Sequence, residues 1–373
     1  MSRPAYPAAH AAAPRVHAYF ADRHQEGLRR GQQDLAPVPD ISAIETLISA
    51  AFWASLRREE GYIPKISLAF LPADQAVNPI TFERPLPLNP VTLTRVAPAV
   101  ERSGIHLGVW RDTNEFGVWG TIHLIPTLCF VLEVVAPGLL VIKHHSGGKF
   151  SKFVNVAVLE GDQIKVLDEH ASNVLLLPRA LGSPTFNTHS VTAMLQLAVS
   201  MRAHGHGGSL LVVPAESESW RESIIWPMPY TVSPPFSELA NLIREQADIT
   251  DRQPWQEELT RMVDTIAGLT AVDGAVVLTD QHELLGFGAK IARRRGWAPV
   301  EQVMMTEPID GGVADLVHPE QLGGTRHLSA AQFVQDQRDA FALVASQDGR
   351  FTIFEWSDSE KIVHAHRVDA LLL

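Results

Sequence analysis

Between Ile105 and Leu167 the chain offers one short apolar run after another, and no other stretch restricts the fold as tightly. The runs are Ile105–Trp110, Gly117–Leu124, Leu128–Val135, Leu139–Lys143, Phe153–Leu159 and Gln163–Leu167. Each has the length of a strand, and turn clusters such as Asp112-Thr113-Asn114 and Glu160-Gly161-Asp162 separate them. Connections this short join antiparallel neighbours, because a parallel return needs a long crossover. The pattern therefore predicts a largely antiparallel sheet. Upstream, Ile41, Ile44, Leu47, Ile48, Ala51 and Phe52 recur at helical spacing behind Asp40, a residue suited to the N-cap. Ile66–Leu71 reads as a strand, Pro85–Pro90 as a breaker and Val91–Glu101 as a short helix. Residues 39–180 are read as one α+β domain. Residues 1–38, rich in Ala and Pro, are read as a loose lead-in with a short helix near Val16–Leu28.

The rest of the chain reads differently. Leu177–Asn187, with Pro178, Gly182 and Pro184, is the linker candidate. Helices are predicted over Ser190–Ala203, Phe236–Gln246 and Glu257–Leu269, and from Ser329 onward. Strands are predicted over Ser209–Val213, Ala275–Leu278, Leu284–Ile291, Ala340–Ser346 and Arg350–Trp356. This alternation makes residues 188–373 an α/β domain, a mixed sheet flanked by helices. Glu216–Pro235, rich in Trp and Pro, reads as an ordered loop or edge segment, and Ala292–Leu322 as a long connection. Two domains suit a chain of 373 residues.

Composition narrows the function classes. A formal net charge of −11 argues against a general nucleic-acid surface. A single cysteine, Cys129, excludes an internal disulfide and a Cys-rich zinc site. The most apolar stretch, Ile122–Ile142, is broken by Pro126, Glu133 and Pro137, so no membrane span is predicted. The start of the chain lacks the apolar region of a signal peptide, and the expected location is cytoplasmic.

Several stretches carry candidate chemistry. Gly323 and Gly324 form a turn that exposes backbone N–H groups. Thr325 adds a hydroxyl, Arg326 a planar five-donor fork, and His327 a donor, base or metal ligand. A helix beginning just beyond makes this an anion site suited to phosphate. The plainer alternative is a helix cap with an incidental Arg. Asp273-Gly274-Ala275 is a turn running into an apolar strand. Its carboxylate can bind Mg²⁺ or Mn²⁺ or polarise a hydroxyl, and Gly274 leaves room for a ligand. The alternative there is an ordinary Asp-Gly turn. Lys143–Phe150 looks like a phosphate loop but fails the Walker A pattern at Lys143 and Phe150. His204 and His206 read as a helix-to-strand turn before they read as metal ligands. Gly286-Phe287-Gly288 can let a flat base approach the backbone, or mark a bulge.

Together, Asp273-Gly274-Ala275 and Gly324-Thr325-Arg326-His327-Leu328 resemble the Asp-Gly-Ala and Gly-Thr-Arg-His-Arg motifs of the diadenylate cyclase (DAC) domain of the bacterial DNA-integrity scanning protein. Gly207–Val213 is similar to that domain's first strand, and Leu343–Gln347 to its late strand ending in Ser-Glu or Ser-Gln. The preceding domain resembles the sensor module named DACNV that stands ahead of some DAC-like domains. The resemblance implies condensation of two ATP into cyclic di-AMP with Mg²⁺ or Mn²⁺. Asp273 would activate the hydroxyl or hold the metal, Thr325 and Arg326 cradle phosphates, and His327 contact phosphate or metal. Gly274, Ala275, Gly324, Ser346 and Gln347 would line the pocket. It also implies a homo-oligomer with facing sites and an unknown ligand for the sensor domain. Leu328 stands where the family usually has a second Arg, for which one of Arg293–Arg295, or Arg338, could compensate. That departure keeps a second reading open, a nucleotide- or dinucleotide-sensing protein that does not cyclise.

Overall fold

The computed structural model describes residues 6–58, 61–112, 115–146, 153–168, 188–245 and 252–373. It contains two large mixed sheets with helices packed on them, and the described residues divide into two compact units, before and after the segment at 169–187. The linker candidate Leu177–Asn187 and the tip of the Lys143–Phe150 loop lie outside the described residues.

The first unit begins with two helices, α1 (Pro7–Arg29) and α2 (Ile41–Ser55). Asp40 caps α2, its carboxylate accepting the Ala43 N–H at 2.7 Å. The strands are β1 (Ile66–Phe70), β2 (Ile80–Pro87), β3 (His106–Asp112), β4 (Glu115–Ile122), β5 (Phe130–Ala136), β6 (Leu139–His145), β7 (Phe153–Glu160) and β8 (Gln163–Val166). A short helix, α3 (Pro90–Val96), precedes β3, capped by Asn89 through the Thr92 N–H. The sheet order is β2-β4-β3-β1-β5-β6-β7-β8. Only β1 and β3 run parallel; every other neighbouring pair is antiparallel.

Two features depart from the sequence expectation. Within the lead-in, residues 7–29 are not loose: α1 has 23 residues and a buried face of Ala8, Ala9, Ala12, Ala13, Val16 and Phe20. Small alanines at helical spacing carry little hydropathy yet let α1 pack closely against α2. The Pro85 region is not only a breaker, because Pro85 and Pro87 belong to β2. That strand is at the sheet edge, where a residue without an N–H is tolerated.

The second unit is built on β9 (Gly208–Val213), β10 (Tyr230–Phe236), β11 (Ala275–Thr279), β12 (Leu284–Ala289), β13 (Val303–Thr306), β14 (Asp315–Val317), β15 (Phe341–Ala345), β16 (Phe351–Ser357) and β17 (Ile362–Arg367). Its order is β10-β12-β11-β9-β15-β16-β17-β13-β14. β9 pairs in parallel with β11 and antiparallel with β15, so it forms the buried centre. One face of the sheet packs in a core with helices α4 (Thr188–Ala203), α5 (Glu238–Glu245) and α6 (Arg252–Leu269). The opposite face packs with Trp220 and α8 (Thr325–Asp336), which follows the short α7 (Pro319–Leu322). The Trp-rich segment supplies β10 at the sheet edge, and the long connection after Ala292 supplies the edge hairpin β13–β14. Among the described residues, no helix is long and apolar enough to cross a membrane.

Phe20 reports on the first core. It is 1% exposed and its ring centroid lies 5.4 Å from that of Phe130 on β5. Phe20→Ala should lower stability in chemical denaturation by about 3–5 kcal/mol, the usual cost of deleting a buried aromatic ring. A loss below about 1 kcal/mol would contradict the central place of α1.

Candidate functional site

The second sheet offers its chemistry at one end. There the N-terminal ends of β9 and β11 lie beside the C-terminal end of β12, because Ala275 pairs with both Ser209 and Ala289. A cavity of about 210 Å³ opens at this end, lined by Ser209, Asp273, Gly274, Ala275, Ala289, Lys290, Ile291, Thr325, Arg326 and Ser329. Five of the predicted residues, Asp273, Gly274, Ala275, Thr325 and Arg326, therefore line one cavity.

Helix geometry explains why some neighbours of Arg326 join them and others do not. α8 starts at Thr325, four residues earlier than its sequence pattern predicts. Each helical residue turns about 100°, so Thr325 and Ser329 share a face, with Arg326 a quarter-turn away. His327 then points to the far side. It is 1% exposed and does not line the cavity. Its ring lies against Gly323, where a β-carbon would come within 2.3 Å of Nδ1, and its Nε2 is 3.4 Å from the Thr352 hydroxyl. Burial, aided by Arg367, pushes its pKa down to about 4. His327 is thus a neutral residue that braces the Gly323-Gly324 turn. Leu328 also turns away and packs on the apolar core beneath the sheet.

The turn supplies donors without filling space. Gly324 is the N-cap of α8 and brings no side chain to satisfy the first-turn N–H groups. These groups and the helix dipole favour an anion at the Thr325 end. Arg326 reaches across to Gly207, where a β-carbon would lie 3.0 Å from its Nη1 and 3.3 Å from Gln347 Cγ. Ser346 and Gln347 follow the end of β15 and do not line the cavity itself. Gln347 donates to the His206 carbonyl oxygen at 3.3 Å, and the Ser346 N–H donates to the Arg350 carbonyl.

On the opposite wall, Asp273 is held by backbone contact. Gly274 has φ +114°, and a β-carbon there would lie 2.4 Å from the carbonyl carbon of Gly288, itself at φ +72°. The two glycines let the Asp273 turn press onto the irregular β12 strand. Gly286-Phe287-Gly288 thus reads as the bulge alternative, and the Phe287 ring is stacked on Tyr230 at 4.6 Å. Asp273 projects into solvent and pairs with Lys290 at 2.5 Å. Hydrogen bonding and attraction from Lys290, with help from Arg326, hold its carboxyl below the usual carboxylate range.

Sequence reasoning missed Lys290, Ser209 and Ser329. Lys290 was readable only through pairing: it follows Ala289, the register partner of Ala275, and so falls opposite the Asp-Gly turn. Two of the expected substitutes for a second Arg are engaged elsewhere. Arg294 pairs with Glu222 at 2.7 Å, and Arg338 lies over the Trp297 and Trp356 rings. None of Arg293–Arg295 lines the cavity. The His204 side chain sits in the helix-to-strand turn, its two nitrogens near the Thr270 hydroxyl and the His206 N–H.

A divalent metal fits this site through Asp273 alone. Among the described residues no three His, Cys, Asp or Glu side chains form a metal cage. Mg²⁺ often uses one or two carboxylates with phosphate oxygens and water, which the exposed Asp273 can provide. His327 does not fit, because its ring is turned into the core.

A family model described as "Probable sensor domain DACNV" matches residues 33–123. That span carries α2 and the half-sheet β2-β4-β3-β1 of the first unit. No curated protein matches the chain.

The buried His327 has a pH signature. Its folded pKa is depressed, so the unfolded chain binds the proton first and stability falls as pH drops from 6.5 toward about 4. His327→Gln should flatten that part of the stability profile for the second unit in thermal denaturation from pH 4 to 8. An unchanged slope would mean that His327 accepts the proton without cost.

Proposed function

We propose that the second unit is a nucleotide-condensing domain of the diadenylate cyclase type, joining two ATP into cyclic di-AMP under the influence of the DACNV sensor domain. The observation that carries this reading is the convergence of Asp273, Lys290, Thr325 and Arg326 on one cavity at the uncapped start of α8. Arg326 and the helix N–H groups line the same cavity as an exposed carboxylate that Lys290 contacts directly.

The reaction makes modest demands. Each 3′ hydroxyl attacks the other nucleotide's α-phosphorus; a P–O bond forms, pyrophosphate leaves, and the hydroxyl proton is released. Arg326 and the first-turn N–H groups of α8 bind phosphate oxygens, with the Thr325 and Ser329 hydroxyls beside them. Asp273 is ionised at neutral pH and a weak proton acceptor while Lys290 holds it. It orients the hydroxyl rather than taking its proton early. Mg²⁺ or Mn²⁺, held by Asp273, would supply further neutralisation of phosphate charge. A cavity of about 210 Å³ is below the range usual for whole small-molecule ligands, so it suits the phosphate end of ATP. The remainder would lie outside, toward a second copy bearing the other nucleotide. Turnover on this reading requires a homo-oligomer.

A second reading, nucleotide sensing without turnover, draws support from Leu328 and His327, which add no charge to the cavity. The two readings separate by experiment. Full-length protein incubated with ATP and Mg²⁺ or Mn²⁺ should yield cyclic di-AMP by mass spectrometry. Asp273→Asn should reduce the product at least about 100-fold, by analogy with the loss of a preorganised polar group, while ATP still binds. ATP binding without product in the wild type would favour the sensing reading; product unchanged in Asp273→Asn would remove Asp273 from the reaction.

A further inference from the structure

Among the charged groups of the nucleotide cavity, Lys290 is the one for which the motif comparison offers no counterpart. It stands just past β12, lines the cavity, and pairs with Asp273 in front of the start of α8. Both members are open to water, with side-chain exposures of 45% for Lys290 and 91% for Asp273. An ion pair this exposed is screened and readily exchanged. Each member is also the natural partner of one half of a metal–polyphosphate. A phosphate tail offers several anionic oxygens to the ammonium, and the accompanying divalent cation seeks a carboxylate.

We infer that Lys290 is the second cationic group of this site and that its pair with Asp273 is a resting contact, exchanged when a nucleoside polyphosphate and its divalent cation bind. The ammonium moves to phosphate oxygens and the carboxylate to the cation. This inference rests on the nucleotide-binding reading above and deepens it. It also explains how the cavity tolerates Leu328: the missing charge comes from the β12 side and not from α8.

Partner exchange predicts opposite effects on the two components. Full-length wild type, Lys290→Ala and Lys290→Arg would be titrated with ATP plus Mg²⁺ by calorimetry, and separately with Mn²⁺ alone by electron paramagnetic resonance. Lys290→Ala should weaken ATP about tenfold or more, the scale of one charged hydrogen bond, and Lys290→Arg should stay within a few-fold of wild type. Mn²⁺ alone should bind Lys290→Ala more tightly, because Asp273 has lost its competitor. A merely structural lysine would not move the two affinities in opposite directions. Unchanged ATP affinity in Lys290→Ala, or weakening of both ligands, overturns the exchange while leaving the nucleotide site standing. A wild type that binds no nucleotide overturns the parent reading and this inference with it.

Discussion

The cavity depends on the close approach of two glycine backbones. Gly274 meets Gly288 at a separation that no β-carbon permits, and both take positive φ values that other residues rarely adopt. Because they meet, the Asp273 carboxylate is presented at the mouth of the strands and Lys290 falls beside it. The parallel pairing of β11 with β9 then brings Ser209 to the floor, and the turn at Gly323-Gly324 brings α8 to the roof. Each part is ordinary. The chemistry arises because rigid sheet pairing holds a carboxylate, an ammonium and a guanidinium around one cavity.

Much of this was legible in the sequence, for identifiable reasons. Most strands of both sheets announce themselves by apolar runs and turn residues, though β2, β10, β13, β14 and β17 do not, and Asp40 marks the start of α2 by its capping chemistry. The Asp-Gly turn and the Gly-Thr-Arg stretch lie 50 residues apart yet face each other across the cavity. What stayed hidden depends on rotation or on pairing. His327 shares a motif with Arg326, but a helix that starts at Thr325 turns it into the core. Lys290 has no motif and enters only through the β11–β12 register. The alanine face of α1 and the edge hairpin β13–β14 have weak hydropathy patterns, and tertiary packing decides their state.

The two units carry different kinds of specificity. The first holds its DACNV match in a sheet with one face buried against α1 and α2, a robust scaffold for a sensing module. The second concentrates its unspent donors and charges at one strand end. Charge there is nearly balanced, two cations against one carboxylate, so on the proposed nucleotide reading an incoming polyphosphate and metal would replace contacts instead of creating uncompensated ones. The proposed exchange would make its affinity sensitive to ionic strength and to divalent cation supply.

The most direct test is phosphorus NMR of ATP with Mg²⁺, titrated with the full chain and with its Arg326→Ala variant. Selective broadening of the phosphate resonances by the wild type, lost in the variant, is the predicted result. Phosphate resonances that respond to neither protein, or equally to both, would contradict the assignment of this cavity to nucleotide.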